Sequence, residues 1–114
     1  MKLTIAQKAA LMRATMTFEA ALENAEALSE ISAQADAKVQ AFAAPYGKGP
    51  MGLTPEACRT HPTYRDLKAD ADRAFASVRA FNQIFVKAFA VEYRAHIYAR
   101  RAAKIAANQA KQGA

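Results

Sequence analysis

All four prolines of this 114-residue chain (Pro45, Pro50, Pro55, Pro62) and three of its four glycines (Gly47, Gly49, Gly52) fall between positions 45 and 62. Proline removes a backbone donor and clashes with the preceding helical turn, and glycine costs backbone entropy inside a helix. The stretches 4–44 and 63–107 contain neither residue, and both read as helix. The sequence therefore predicts an all-α fold: a long antiparallel two-helix hairpin with a Pro/Gly-rich connection at 45–62 and a basic tail at 108–114 that frays. A chain of this length forms a single domain, 1–114. Its hydrophobic fraction is 53% with no Trp, and alanine supplies much of that fraction. Alanine favours helix but buries little surface, so the expected seams are thin. No segment alternates as a strand would.

The first helix is expected to start at Thr4, because Thr4 and Gln7 match a capping box, and to stop before Pro45. At ~1.5 Å per residue it would be about 60 Å long. Its apolar positions repeat as a heptad, with Leu11, Phe18, Ala25, Ser32 and Val39 on one row and Ala14, Ala21, Leu28, Ala35 and Phe42 on the other. Such a repeat implies supercoiling against a partner helix. In the connection, Thr54 is the expected N-cap of a short helical turn with Pro55 at its first position. His61-Pro62-Thr63 is a second start signal. The second helix then carries the stripe Leu67, Ala71, Ala74, Val78, Phe81, Phe85, Ala88 and Phe89.

One hairpin does not cover all of that helix. Ile84, Val91, Tyr98 and Ile105 form a further apolar row at spacing seven, and Val86, Tyr93 and Ile97 extend another. A helix apolar around most of its circumference is buried on more than one side. The row predicts a homodimer, two hairpins packed as a four-helix bundle.

Charge is unevenly distributed. Sixteen Lys and Arg stand against ten Asp and Glu, a formal net charge of +6. Glu19, Glu23, Glu26, Glu30 and Asp36 follow one another with no basic residue between them, whereas Arg73, Arg79, Lys87, Arg94, Arg100, Arg101, Lys104 and Lys111 are interrupted only by Glu92. Folding the hairpin brings Arg73, Arg79 and Lys87 towards the acidic stretch. It gathers Lys2, Lys8, Arg13, Arg94, Arg100, Arg101 and Lys104 at the end holding both termini. Arg94, Arg100, Arg101 and Lys104, interleaved with Tyr93 and Tyr98, are the candidate polyanion-binding residues, because phosphate neutralisation and base stacking use these side chains.

Three motifs name other chemistries and fall short of them. Gly47-Lys48-Gly49-Pro50-Met51-Gly52 spells G-x-G-x-x-G, but a helix precedes it where a dinucleotide site needs a strand, and Pro50 removes a donor. Cys58 and His61 supply half of a zinc site, with only His96 left among the softer ligands. Glu92 and His96, four apart on the seam, suit either an acid–base pair or a satisfied polar contact near Arg13. No metal or cofactor is expected, and no clustered carboxylates or nucleophile–base pair suggest an enzyme. The single Cys58 excludes an internal disulfide and suits a reducing cytoplasm. Gln7 and Lys8 interrupt any signal-like apolar region, and no run approaches the ~20 apolar residues of a membrane span, so no membrane association is expected. The sequence thus points to a non-catalytic binding protein whose basic end docks on a polyanion such as nucleic acid or a nucleoprotein complex. The alternative is a protein–protein inhibitor or adaptor acting through its apolar helix face and the connection, by analogy with small accessory proteins of mobile elements.

Overall fold

A computed structural model describes residues 2–113, and these form an all-α structure with no strand among them. Five α-helices follow one another: α1 (Ile5–Thr15), α2 (Phe18–Ala43), α3 (Glu56–Arg59), α4 (Pro62–Ala88) and α5 (Ala90–Gln112). Short 3-10 turns at Ala44–Tyr46 and Pro50–Gly52 punctuate the connection. Contacts group the chain into two compact units. A terminal unit joins the stretch ending at Ala21 to the stretch beginning at Gln83, and a central unit spans Leu22–Asn82.

The expected start of the first helix is present. Thr4 Oγ1 accepts from the Gln7 N–H at 3.1 Å, and Gln7 Oε1 accepts from the Thr4 N–H at 2.9 Å. The helix does not run unbroken over 4–44, however. Met16 is extended at φ −129°, ψ 149°, and two threonines account for the break. Thr15 Oγ1 donates back to the Leu11 carbonyl at 2.8 Å, a bond that competes with the helical ladder and bends it. Thr17 then caps α2 by accepting from the Ala20 N–H at 3.1 Å, and Glu19 in the first turn suits the helix dipole.

This break moves the seam. From Phe18 onward the less exposed positions of α2 include those of the expected heptad, Phe18, Ala21, Ala25, Leu28, Ser32, Ala35, Val39 and Phe42, with Ala20, Leu22 and Ala43 beside them. Before it, Ala9, Met12 and Met16 turn inward, while the expected Leu11 and Ala14 face solvent, Leu11 being 54% exposed. Two residues at the break reset the phase of everything upstream.

The second helix also differs from the expected 63–107. It begins at Pro62, breaks at Phe89 (φ −126°, ψ 44°) and continues to Gln112, so the tail expected to fray from 108 is helical. His61 caps its start, Nδ1 accepting from the Thr63 N–H at 3.1 Å. In the connection Pro55, not Thr54, occupies the N-cap of α3. The Thr54 carbonyl instead accepts from Arg59 Nε at 2.9 Å.

In the central unit α2 and α4 run antiparallel. Phe42 packs against His61 and Tyr64 with ring centroids 5.1 and 6.5 Å apart, and Asp36 and Lys68 share a cleft with Ser29 and Val78. Val39, Cys58 and Ala71 are buried. The terminal unit holds the larger core. Phe85, 1% exposed, stacks on Phe18 at 5.8 Å and meets Tyr93 edge-on at 5.6 Å, with Phe89, Ala9, Ala21 and Ala88 buried around it.

Candidate polyanion-binding face

The break at Phe89 decides how α5 is presented. Arg13 of α1 donates from Nη1 to the Ala88 carbonyl at 2.9 Å and to Glu92 Oε2 at 2.8 Å. Its guanidinium lies 5.4 Å from the centre of the buried Phe89 ring. A side chain inserted at a helical carbonyl is one of the recognised causes of a sharp kink, and neither Pro nor Gly is nearby. Glu92 therefore pairs with Arg13, not with His96. The His96 ring packs edge-on against Phe18 at 6.1 Å, and its Nε2 is buried without a partner. This geometry holds no acid–base pair.

With Glu92 engaged, the rest of α5 has no anion. Arg94, Arg100, Arg101, Lys104 and Lys111 are all exposed, and among the described residues none of them forms an ion pair. At 100° per residue these five fall within an arc of about 120°. The opposite side carries Val91, Ala95, Ala99, Ala102 and Ala106. From Tyr98 to Gly113 every residue is exposed.

Charge follows the two units. The terminal unit has nine Lys and Arg against two Glu, a formal charge of +7. The central unit has seven against eight, a charge of −1, and together they give the +6 of the chain. Within the central unit Arg73 is held by Asp70 and Arg79 lies over Phe75, so neither forms an ion pair with Glu23, Glu26 or Glu30.

The sequence-derived candidates divide. Arg94, Arg100, Arg101 and Lys104 share the exposed arc, joined by Lys111, which sequence reasoning left outside the site by ending the helix at 107. Tyr93 does not join them as a stacking platform, because it is half-buried against Phe85. Of the dimer row, Val91, Tyr98 and Ile105 are 75%, 64% and 57% exposed. Ile84 is half-buried and belongs to α4, on the other side of the Phe89 break, so the four do not make one straight row.

The remaining motifs have structural occupations. The N–H groups of Gly47, Gly49 and Gly52 donate to the carbonyls of Ala44, Leu53 and Gly49, leaving none of the three glycine donors for a phosphate. Cys58 is buried and His61 serves as a helix cap. Among the described residues no group of three or more His, Cys, Asp or Glu could hold a metal ion, and no helix is long and apolar enough to cross a membrane. A cleft of about 510 Å³ in the central unit is bordered by Asp36, Lys68 and Asp72. There the hydrogen bond and charge of Asp72 hold the Lys68 ammonium above its ordinary range, which suits a fixed cation rather than a nucleophilic amine. No family model matches the chain, and no curated protein or solved structure matches it.

Proposed function

We propose that this chain is a non-catalytic binding protein whose basic C-terminal helix docks on a polyanion, a nucleic acid or a nucleoprotein complex. The observation that supports this reading is the arc of five unpaired cations on α5, in a unit whose only acidic residue near them is already engaged by Arg13. Clustered cations without counter-charges attract polyanions over roughly a Debye length, about 8–10 Å at moderate salt. Anisotropy titrations of the intact protein with nucleic acid over a range of salt test it. Binding that weakens steeply with salt is expected, and no binding at low salt contradicts it.

A second reading concerns self-association, and the exposure of Val91, Tyr98 and Ile105 favours it. Monomers seldom leave such an apolar row in water. Two copies would pair along it, as helical hairpins in a four-helix bundle, while the far edge of the basic arc stays open. Sedimentation equilibrium at micromolar concentration is expected to give a dimer or larger species, and Val91→Glu is expected to shift it towards monomer. A clean monomer for the wild type leaves the row for a foreign protein, the inhibitor or adaptor alternative. Met51 in the connection would then be the next contact to examine, being 96% exposed in the left-handed region (φ 61°).

A further inference from the structure

We infer that the polyanion is duplex DNA and that α5 enters its major groove; this rests on the polyanion reading above and narrows it. In the last four turns of α5 every residue from Tyr98 to Gly113 is exposed. An α-helix with its side chains is about 10–12 Å across, and the major groove of B-DNA is about 12 Å wide. A helix lies in such a groove through whichever face its own fold leaves free, and from Tyr98 to Gly113 α5 leaves every position exposed.

The side chains on the basic arc suit that position. Arg94, Arg100, Arg101, Lys104 and Lys111 are spread along the arc, where they can reach phosphates on both walls. Asn108 and Gln112 fall in the same arc, one turn apart and in line with Arg101, and all three are exposed. Asn and Gln read adenine edges in the major groove. The opposite face, built of Ala95, Ala99, Ala102 and Ala106, would point out of the groove.

The other nucleic acids fit less well. A-form RNA has a major groove too deep and narrow for such reading. Single strands are held on stacked aromatic platforms. On α5 only Tyr98 is an exposed aromatic, Tyr93 is turned into the Phe85 cluster, and none follows Tyr98.

The test is competition among substrates for the intact protein at low salt. Labelled duplex DNA of mixed sequence is compared with the same sequence as single-stranded DNA and as duplex RNA. Duplex DNA is expected to bind tighter than either by at least about tenfold, as groove fit and the missing stacking platform require. A major-groove ligand such as methyl green is expected to displace the protein, and the minor-groove ligand distamycin is not. The double change Asn108→Ala and Gln112→Ala is expected to flatten preference among duplex sequences while leaving the salt slope as it was. Equal or tighter binding of single-stranded DNA or duplex RNA overturns the duplex proposal alone, as does displacement by distamycin only. Failure to bind any of the three at low salt overturns the polyanion reading with it.

Discussion

Phe85→Ala is expected to unfold the terminal unit at temperatures where the wild type is fully helical. Among the described residues Phe85 is the largest side chain that is fully buried. It stacks on Phe18, tilts against Phe89 with centroids 6.0 Å apart, and receives the edge of Tyr93. Truncating a buried Phe costs about 3–5 kcal/mol, the lost transfer energy plus the cavity left behind. Whole-domain stabilities are about 5–15 kcal/mol, and the alanine-lined seams beside this cluster bury too little to compensate. A fall in melting temperature of more than about 10 °C follows for a chain of this size, read by circular dichroism. Phe75→Ala is the control. Phe75 is 54% exposed beneath Arg79, so the same chemical change there is expected to move stability by less than about 1 kcal/mol. Equal effects at the two positions would show that the terminal cluster is not the core described.

The second large effect is on binding. Replacing Arg100, Arg101 and Lys104 together with Gln is expected to leave the melting temperature nearly unchanged, since exposed unpaired charges contribute little to folding. Affinity for duplex DNA behaves differently, because each neutralised phosphate contributes about 0.9 to the slope of log affinity against log salt. Five contacts give a slope near −4.5, and losing three leaves roughly −1.8. Between about 50 and 200 mM salt the wild type would then lose roughly 500-fold in affinity and the variant only about 12-fold. The loss at low salt is expected in all sequences alike, because these residues are assigned to phosphates.

Much of the fold can be read from the sequence, and the two helix breaks cannot. Confining Pro and Gly to 45–62 locates the connection because those residues act through local backbone sterics. The seam of α2 is legible for a similar reason: Phe18 to Phe42 repeat at three and four with no competing pattern. The break at Met16 has a local signal in Thr15 and Thr17, but threonine is also tolerated inside helices, so the heptad alone puts Leu11 and Ala14 on the wrong face. The break at Phe89 has none. It depends on Arg13, seventy-five positions away, reaching the Ala88 carbonyl, and no local pattern encodes that. The same contact engages Glu92, and the kink accompanies the burial of Tyr93 and the separation of Ile84 from Val91. Of the candidate site, the four cations are legible as charge without opposition. Lys111, Asn108 and Gln112 are not, because the basic stretch beyond 107 reads as a frayed tail although its alanines favour helix as far as Gln112.

The most direct test of the central claim is the salt dependence of duplex binding by the wild type and the Arg100/Arg101/Lys104→Gln variant, measured side by side on protein shown by circular dichroism to be equally helical. The account predicts tight wild-type binding at low salt with a slope near −4.5, and a variant slope shallower by roughly 2.7. A wild type that binds no nucleic acid at low salt, or two proteins with the same slope, would contradict it.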